Sequence, residues 1–396
     1  MTRIAKTPRL NRHALLSKPS GIRVIADLAA QRHRKGLPVY PFHLGEPDFD
    51  TPTPIKVATI RALDAGEVHY APNAGIPALR EAIASFLDRR YGFPLDSSDV
   101  IITVGACEAL TLAMMVCLEP GDEVLAPTPC WPNYLQTPEL LGATVRQVPM
   151  PAQNGFGLDP DAVLAAIGPR TRAIIVNTPN NPSGAVADAS VLRELLNGAR
   201  MHGIWLVVDE IYHDLVFDTA WRGVLEIAQE DDPLIYVNGF SKSYAMTGWR
   251  LGYVVAKGEV ARAMQRVHQA LVTSVTSFAQ HGALAALDQQ VAVDSMMNVY
   301  AQRRERVLAA LATAGLDAPA PGGGFYVFPR VPERWNNGDT FAESILTKHG
   351  IAVVPGSVFG EAHSDRFRLC FACSDEILDR GLALLEQVIP PNGKAT

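Results

Sequence analysis

Four polar side chains stand out by where they fall along the chain. Asn181 lies in NTPNNPSG (177–184), Asp209 and Tyr212 in VVDEIY (207–212), and Lys242 in NGFSKSYAMTGWRLGY (238–253). Each sits at or just beyond the end of an apolar run, and ligands of open parallel sheets bind outside the carboxyl ends of the strands. An amine, a buried carboxylate, a phenol and an amide would then face one crevice. Arg250, eight residues beyond Lys242, can offer an anion a planar fork of donors. Gly105-Ala106-Cys107 marks a strand turning into a helix, whose free N–H groups and dipole favour an anion. Taken singly, each has a plainer reading. Lysines are usually solvated, aspartates cap turns, Asn181 precedes Pro182 as turn residues do, and tyrosines fill cores. Their order along successive strands is what argues for chemistry.

The elements that must position them are legible from the apolar runs. DVIITV (99–104), VLAP (124–127), ATVRQVPM (143–150), RAIIVNTP (172–179), IWLVVDE (204–210) and LIYVNGF (234–240) read as strands. Several are apolar at every position, as in strands covered on both faces, which predicts a mostly parallel sheet between helices. LGYVVA (251–256) follows too closely for a crossover and is expected to be antiparallel. Helices are expected at Ile22–His33, Ile55–Ala65, Ala74–Arg90, Ala106–Leu118, Val260–Gln289, Val293–Ala314 and Ser374–Gln387, the last capped by Ser374. GGFYVFP (323–329), GIAVVPG (350–356) and DRFRLCFA (365–372) read as strands of a smaller α+β domain, and the tail 390–396 as frayed. The expected division is 1–45 and 290–396 in the small domain and 46–289 in the large one.

NNPSG (180–184), VDEIY (208–212) and SKSYAMTGWRLGY (241–253), at their mutual spacings, resemble the class I/II aminotransferases, the aspartate-aminotransferase superfamily of fold-type I enzymes. The likeness runs from GEPDF (45–49) to RFRLCFA (366–372). It implies pyridoxal phosphate (PLP) as cofactor and amino-group transfer between an L-amino acid and a 2-oxo acid by a ping-pong cycle. By that resemblance Lys242 carries the cofactor as an imine and, once displaced, moves the Cα proton. Asp209 faces the protonated pyridine nitrogen, and Tyr212 and Asn181 donate to the phenolic oxygen. Arg250, Ser241 and the Gly105-Ala106-Cys107 turn hold the phosphate. Trp131, in PTPCWPNY, stacks on the ring, and Tyr70, in VHYAPNAG, reaches the phosphate of a neighbouring subunit, which implies a homodimer. Arg368 clamps the substrate carboxylate, with Gly45 approaching it through the backbone. Arg366 lies two residues away on the same strand face, so spacing alone does not separate the two arginines.

The chain departs from the pattern twice. Gly239 stands where the family often has a serine, removing one phosphate contact. Cys107 stands where many aspartate-using relatives carry a lysine for the distal carboxylate. Without that charge a neutral or aromatic donor is expected, unless an arginine such as Arg23 substitutes. Aspartate transamination and PLP-dependent β-elimination at a carbon–sulfur bond are the rival enzyme readings. A regulatory module fused to a DNA-binding region is disfavoured, since the 44 residues before Gly45 hold no clear recognition helix.

Composition agrees. With 396 residues, 48% of them hydrophobic and 19% charged, the chain can bury more than one core. Lys and Arg number 35 against 41 Asp and Glu, a net charge of −6 that argues against nucleic acid. No run reaches the ~20 apolar residues of a membrane helix, and no apolar stretch follows the basic N-terminus, so a cytoplasmic protein is expected. Five cysteines fit a reducing compartment; Cys370 and Cys373 are expected to be buried rather than a metal pair. No histidine pattern suggests a metal site.

Overall fold

The structure, a computed structural model, describes residues 9–16, 19–217, 221–335 and 337–389. The tail expected to fray, 390–396, lies outside them. Seven strands form the main sheet: β1 (Val100–Thr103), β2 (Glu123–Thr128), β3 (Thr144–Pro149), β4 (Thr171–Asn177), β5 (Trp205–Asp209), β6 (Leu234–Gly239) and β7 (Gly252–Val255). Their order is β1-β7-β6-β5-β4-β2-β3, with β3, β2, β4, β5 and β6 parallel and β7 antiparallel to both neighbours. The apolar runs are explained by burial on both faces. Ile174 and Val176 face one hydrophobic core with Leu206, Val208 and Tyr236, while Ala173 and Ile175 face another with Val207, Ile235 and Val237.

A second sheet of β8 (Tyr326–Val327), β9 (Val354–Pro355) and β10 (Phe367–Cys370), ordered β8-β10-β9, belongs to a third core. Helices 21–34, 290–313, 338–349 and 375–388 contribute to it. Its strands are far shorter than the runs that announced them, because turns and isolated bridges take up the rest. Cys370 and Cys373 are buried free thiols in this core. Ser374 caps the final helix, its Oγ accepting from Ile377 N at 3.4 Å. The helix expected over Val260–Gln289 is instead two, Gly258–Leu271 and Ser277–Ala286. The break falls at Thr273, whose φ of 69° leaves the helical region, and Asn73 Nδ2 donates to its carbonyl at 2.9 Å. Among the described residues no helix is long and apolar enough to cross a membrane.

Three glycines set how closely the sheet meets the helix Gly105–Cys117. Gly239 pairs with Gly252, and a Cβ on Gly239 would stand 2.9 Å from the Gly252 Cα. A Cβ on Gly252 would stand 2.5 Å from Ala106 N and the Gly105 carbonyl carbon. Gly105 has φ +75° and lies against the Arg250 guanidinium. The absent serine at 239 therefore has a local reason: its side chain has no room. Because the obstructing atoms are backbone, Gly252→Ala is expected to destabilise by roughly 1–3 kcal/mol. The thermal midpoint should drop by roughly a few degrees; a midpoint equal to the parent's would refute the close-packing argument.

Candidate active site

The ends of β4, β5 and β6 open into a cavity of about 360 Å³. Eleven of the thirteen residues singled out from the sequence line it, the exceptions being Gly105 and Tyr70. Gly105 stands behind the wall, against Arg250. Tyr70 is 88% exposed, beside a separate surface hollow with Ser274 and Phe278.

Asp209 ends β5 and is buried. Its Oδ2 accepts from Tyr134 Oη at 2.8 Å and its Oδ1 from Ile211 N at 2.9 Å. Burial pushes its carboxyl up to about 6, and the Tyr134 hydrogen bond opposes the rise. Lys242, partly buried in the turn after β6, donates from Nζ to the Gly45 carbonyl at 2.6 Å. Burial brings its amine down to about 8, against the pull of Cys370 and Glu46. The turn that carries it is strained, since Ala245 and Arg250 both have positive φ. It is tied down by Thr51 Oγ1, which donates to the Ala245 carbonyl at 2.6 Å and accepts from Trp249 Nε1 at 3.0 Å.

Arg368 is the cavity's carboxylate candidate. It is 1% exposed, with Nη1 donating to Asn181 Oδ1 at 2.9 Å and Nη2 to the His43 carbonyl at 2.7 Å. Its Nε is buried without a hydrogen-bond partner among the described residues. Arg366, which spacing could not separate from it, precedes β10. It donates to the Phe328 carbonyl at 3.1 Å and lies over the Phe156 ring, away from the cavity. With Oδ1 held by Arg368, Asn181 has its Nδ2 left as a donor; its backbone N–H donates to Asn177 Oδ1 at 2.8 Å. Burial raises the Tyr212 phenol well above its ordinary value, and its hydroxyl lies 3.0 Å from that of Tyr326.

At the other end, the helix Gly105–Cys117 begins without a side-chain cap. Ala106, Cys107, Ser241 and Arg250 surround that end of the cavity. Glu108, in the same first turn, is already engaged: it accepts from Val104 N at 2.5 Å and pairs with the buried His268 at 2.7 Å. Trp131 meets Tyr134 edge-on at 5.5 Å, and Cys107 Sγ accepts from Asn133 Nδ2 at 3.3 Å. Arg23 is exposed, and it is Ile22 that lines the cavity.

PLP fits this donor set. Uncapped amides and a guanidinium could receive its phosphate, a buried carboxylate its pyridine nitrogen, and a lysine with a lowered pKa its carbonyl. Sequence reasoning missed Tyr134, Asn177 and Tyr326. Tyr134 follows Trp131 by three residues, a spacing that puts both on one side of a helical turn, and Asn177 is the last residue of β4. Tyr326 sat within an expected strand, and nothing in its run marked it.

The model of aminotransferase class I and II matches residues 38–385. The aspartate aminotransferase of Pyrococcus horikoshii is 37% identical over 380 residues, 95% of this chain and 96% of that one. Aromatic-amino-acid aminotransferase 2 of Thermococcus litoralis is 36% identical, covering 94% and 96%. The solved aspartate aminotransferase of Thermus thermophilus with maleate superposes with a TM-score of 0.92 at 38% identity, covering 96% and 100%. A match of that extent, on a chain whose lysine, aspartate and two arginines converge on one cavity, makes this protein a member of the class I and II aminotransferases, a PLP-associated family of transaminases.

Proposed function

We propose that this enzyme transfers the amino group of a neutral or aromatic L-amino acid to a 2-oxo acid, with PLP held on Lys242. The observation that carries the reading is one cavity holding a lysine of lowered pKa, a buried aspartate and a buried arginine with an unused donor. Bound there, PLP supplies a carbonyl for the amino group and a ring that takes up electrons from the Cα position. Arg368 would receive the substrate carboxylate and so orient the Cα–H bond. Lys242 as a free amine would take and return the Cα proton. Asp209 would hold negative charge against the pyridine nitrogen, while Tyr212 and the Asn181 amide donate to the phenolic oxygen. Arg250, Ser241 and the amides of Ala106 and Cys107 would hold the phosphate, and Trp131 would cover one ring face. The same reading divides the chain into a cofactor domain, 46–289, and a small domain formed by 1–45 and 290–396.

Lys242 provides the first test. An amine with a pKa of about 8 is neutral in about one molecule in ten at pH 7, far more than an ordinary lysine. Lowering the pKa moves the gain of neutral amine down in pH. The rate at which apoprotein takes up PLP should therefore rise with pH and level off a little above 8. Stopped-flow absorbance reads this, and Lys242→Ala should lose both the covalent link and nearly all turnover. Covalent capture surviving in that variant would reject the assignment.

Side-chain preference follows from the charges in the wall. Among the described residues lining the cavity the cations are Lys242, Arg250 and Arg368, and the reading gives each a task other than a distal carboxylate. Ile22, Ala106, Cys107 and Trp131 leave the remaining wall largely apolar. Losing one charged hydrogen bond weakens recognition by roughly 1.5–3 kcal/mol, about ten- to a hundredfold. Phenylalanine, methionine or alanine should thus exceed aspartate in kcat/KM with a common acceptor, and Cys107→Lys should shift the balance toward aspartate. A parent preferring aspartate tenfold over every neutral donor would refute this preference.

The assembly belongs to the same proposal: a homodimer in which the exposed Tyr70 of each subunit reaches the other's phosphate site. Mixing Lys242→Ala with Tyr70→Phe protein should restore part of the activity that each lacks, if subunits exchange. A fully active monomer would sink the idea.

A further inference from the structure

Tyr326 stands where three groups of the site meet. It comes from β8, in the small sheet, and is 1% exposed. Its hydroxyl lies 3.0 Å from that of Tyr212, which follows β5 of the large sheet. Its ring carries the Arg368 guanidinium 4.5 Å from the centroid. At Gly45 a Cβ would stand 2.2 Å from the Tyr326 oxygen, so this phenol also packs against the loop whose carbonyl receives Lys242.

Two phenols sharing one hydrogen bond divide its roles, because each hydroxyl has a single proton. The heavy atoms allow either order. Charge selects one. A guanidinium over the Tyr326 ring stabilises negative charge on that phenol and makes it the more acidic partner, hence the better donor. Burial raises both phenols. The opposing pull of Arg368 is the chief influence after burial on Tyr326, whereas Tyr212 feels it behind two effects of Tyr326 itself.

We propose that Tyr326 is a positioning residue: it donates to the Tyr212 hydroxyl, so the Tyr212 proton points into the cavity toward an anionic oxygen of the ligand. This rests on the reading that the cavity holds PLP on Lys242. A Tyr212 whose proton is so aimed stabilises the cofactor's phenolic oxygen as an anion. That oxygen then competes less well for the proton of the lysine linkage, and the linkage titrates at lower pH. Without Tyr326's hydroxyl, Tyr212 is free to turn its proton away, and the linkage should titrate higher.

The test uses purified holoenzyme and the pH dependence of the visible absorbance of the Lys242-linked cofactor. Tyr326→Phe keeps the ring under Arg368 and removes only the hydroxyl. Its absorbance midpoint should rise by roughly a half to one unit, the worth of one hydrogen bond. The dissociation constant of a simple monocarboxylate, read by calorimetry, should stay within about twofold. Tyr212→Phe should raise the midpoint further, and the double variant should go no further than Tyr212→Phe alone, because both changes act through one proton. An unmoved midpoint in Tyr326→Phe, or shifts that simply add in the double variant, would overturn the proposal. Carboxylate binding lost with no spectral shift would overturn it too, leaving Tyr326 as packing for Arg368. If the parent forms no borohydride-fixable link at Lys242, the cofactor reading fails and takes this proposal with it. A normal link with an unshifted midpoint removes the proposal alone.

Discussion

Ionisable groups buried at the end of an apolar sheet demand partners, and the architecture around this cavity follows from that demand. Asp209 leaves β5 with hydrophobic residues on either face and is kept as a carboxylate by Tyr134 and the Ile211 amide. Lys242 leaves β6 and hands its proton toward the Gly45 carbonyl. Burial moves the first group up and the second down, so both titrate nearer neutrality than in water. That is a cost to the fold, and for Lys242 it is what the proposed proton transfer near pH 7 would need.

The partners come from distant parts of the chain. Gly45 precedes the first helix of the large-sheet region, Tyr134 belongs to a short helix after β2, and Arg368 comes from β10 of the other sheet. Arg368 is fully buried, yet two of its nitrogens find acceptors at Asn181 and His43 and one does not. A guanidinium so held is oriented with donor capacity to spare, which suits a planar anion better than a fully satisfied or freely rotating side chain would. Burial, and after it the nearby Arg368 cation, bring His43 down to about 4, keeping a second positive charge from forming beside that arginine.

At the opposite end, the turn proposed to hold the phosphate is made by removal of side chains. Gly105, Gly239 and Gly252 let the helix start press against β6 and β7, and Arg250 folds back across Gly105 in a left-handed conformation. Glu108 could have opposed an anion there, but its carboxylate is committed to Val104 and His268. Close backbone packing and an acid engaged elsewhere leave the uncapped helix start, with Ala106 and Cys107, at the cavity wall.

Read alone, the sequence determined the mixed sheet, its antiparallel β7 and the strand-end location of Asn181, Asp209 and Lys242, because continuous apolar runs and local motifs are short-range properties. It also carried the family. It did not decide between Arg366 and Arg368, since alternation puts residues two apart on one strand face; the structure separates them because β10 begins only at Phe367, leaving Arg366 outside it. Nor did it reveal that a helix would break at Thr273, where a side chain 200 residues earlier takes the carbonyl. Tyr134 had a local trace in its spacing from Trp131. Tyr326 had none, because its role depends on meeting Tyr212, Gly45 and Arg368 from three other segments. Such partnerships are made by long-range packing, and only the tertiary structure brings the side chains within hydrogen-bonding reach.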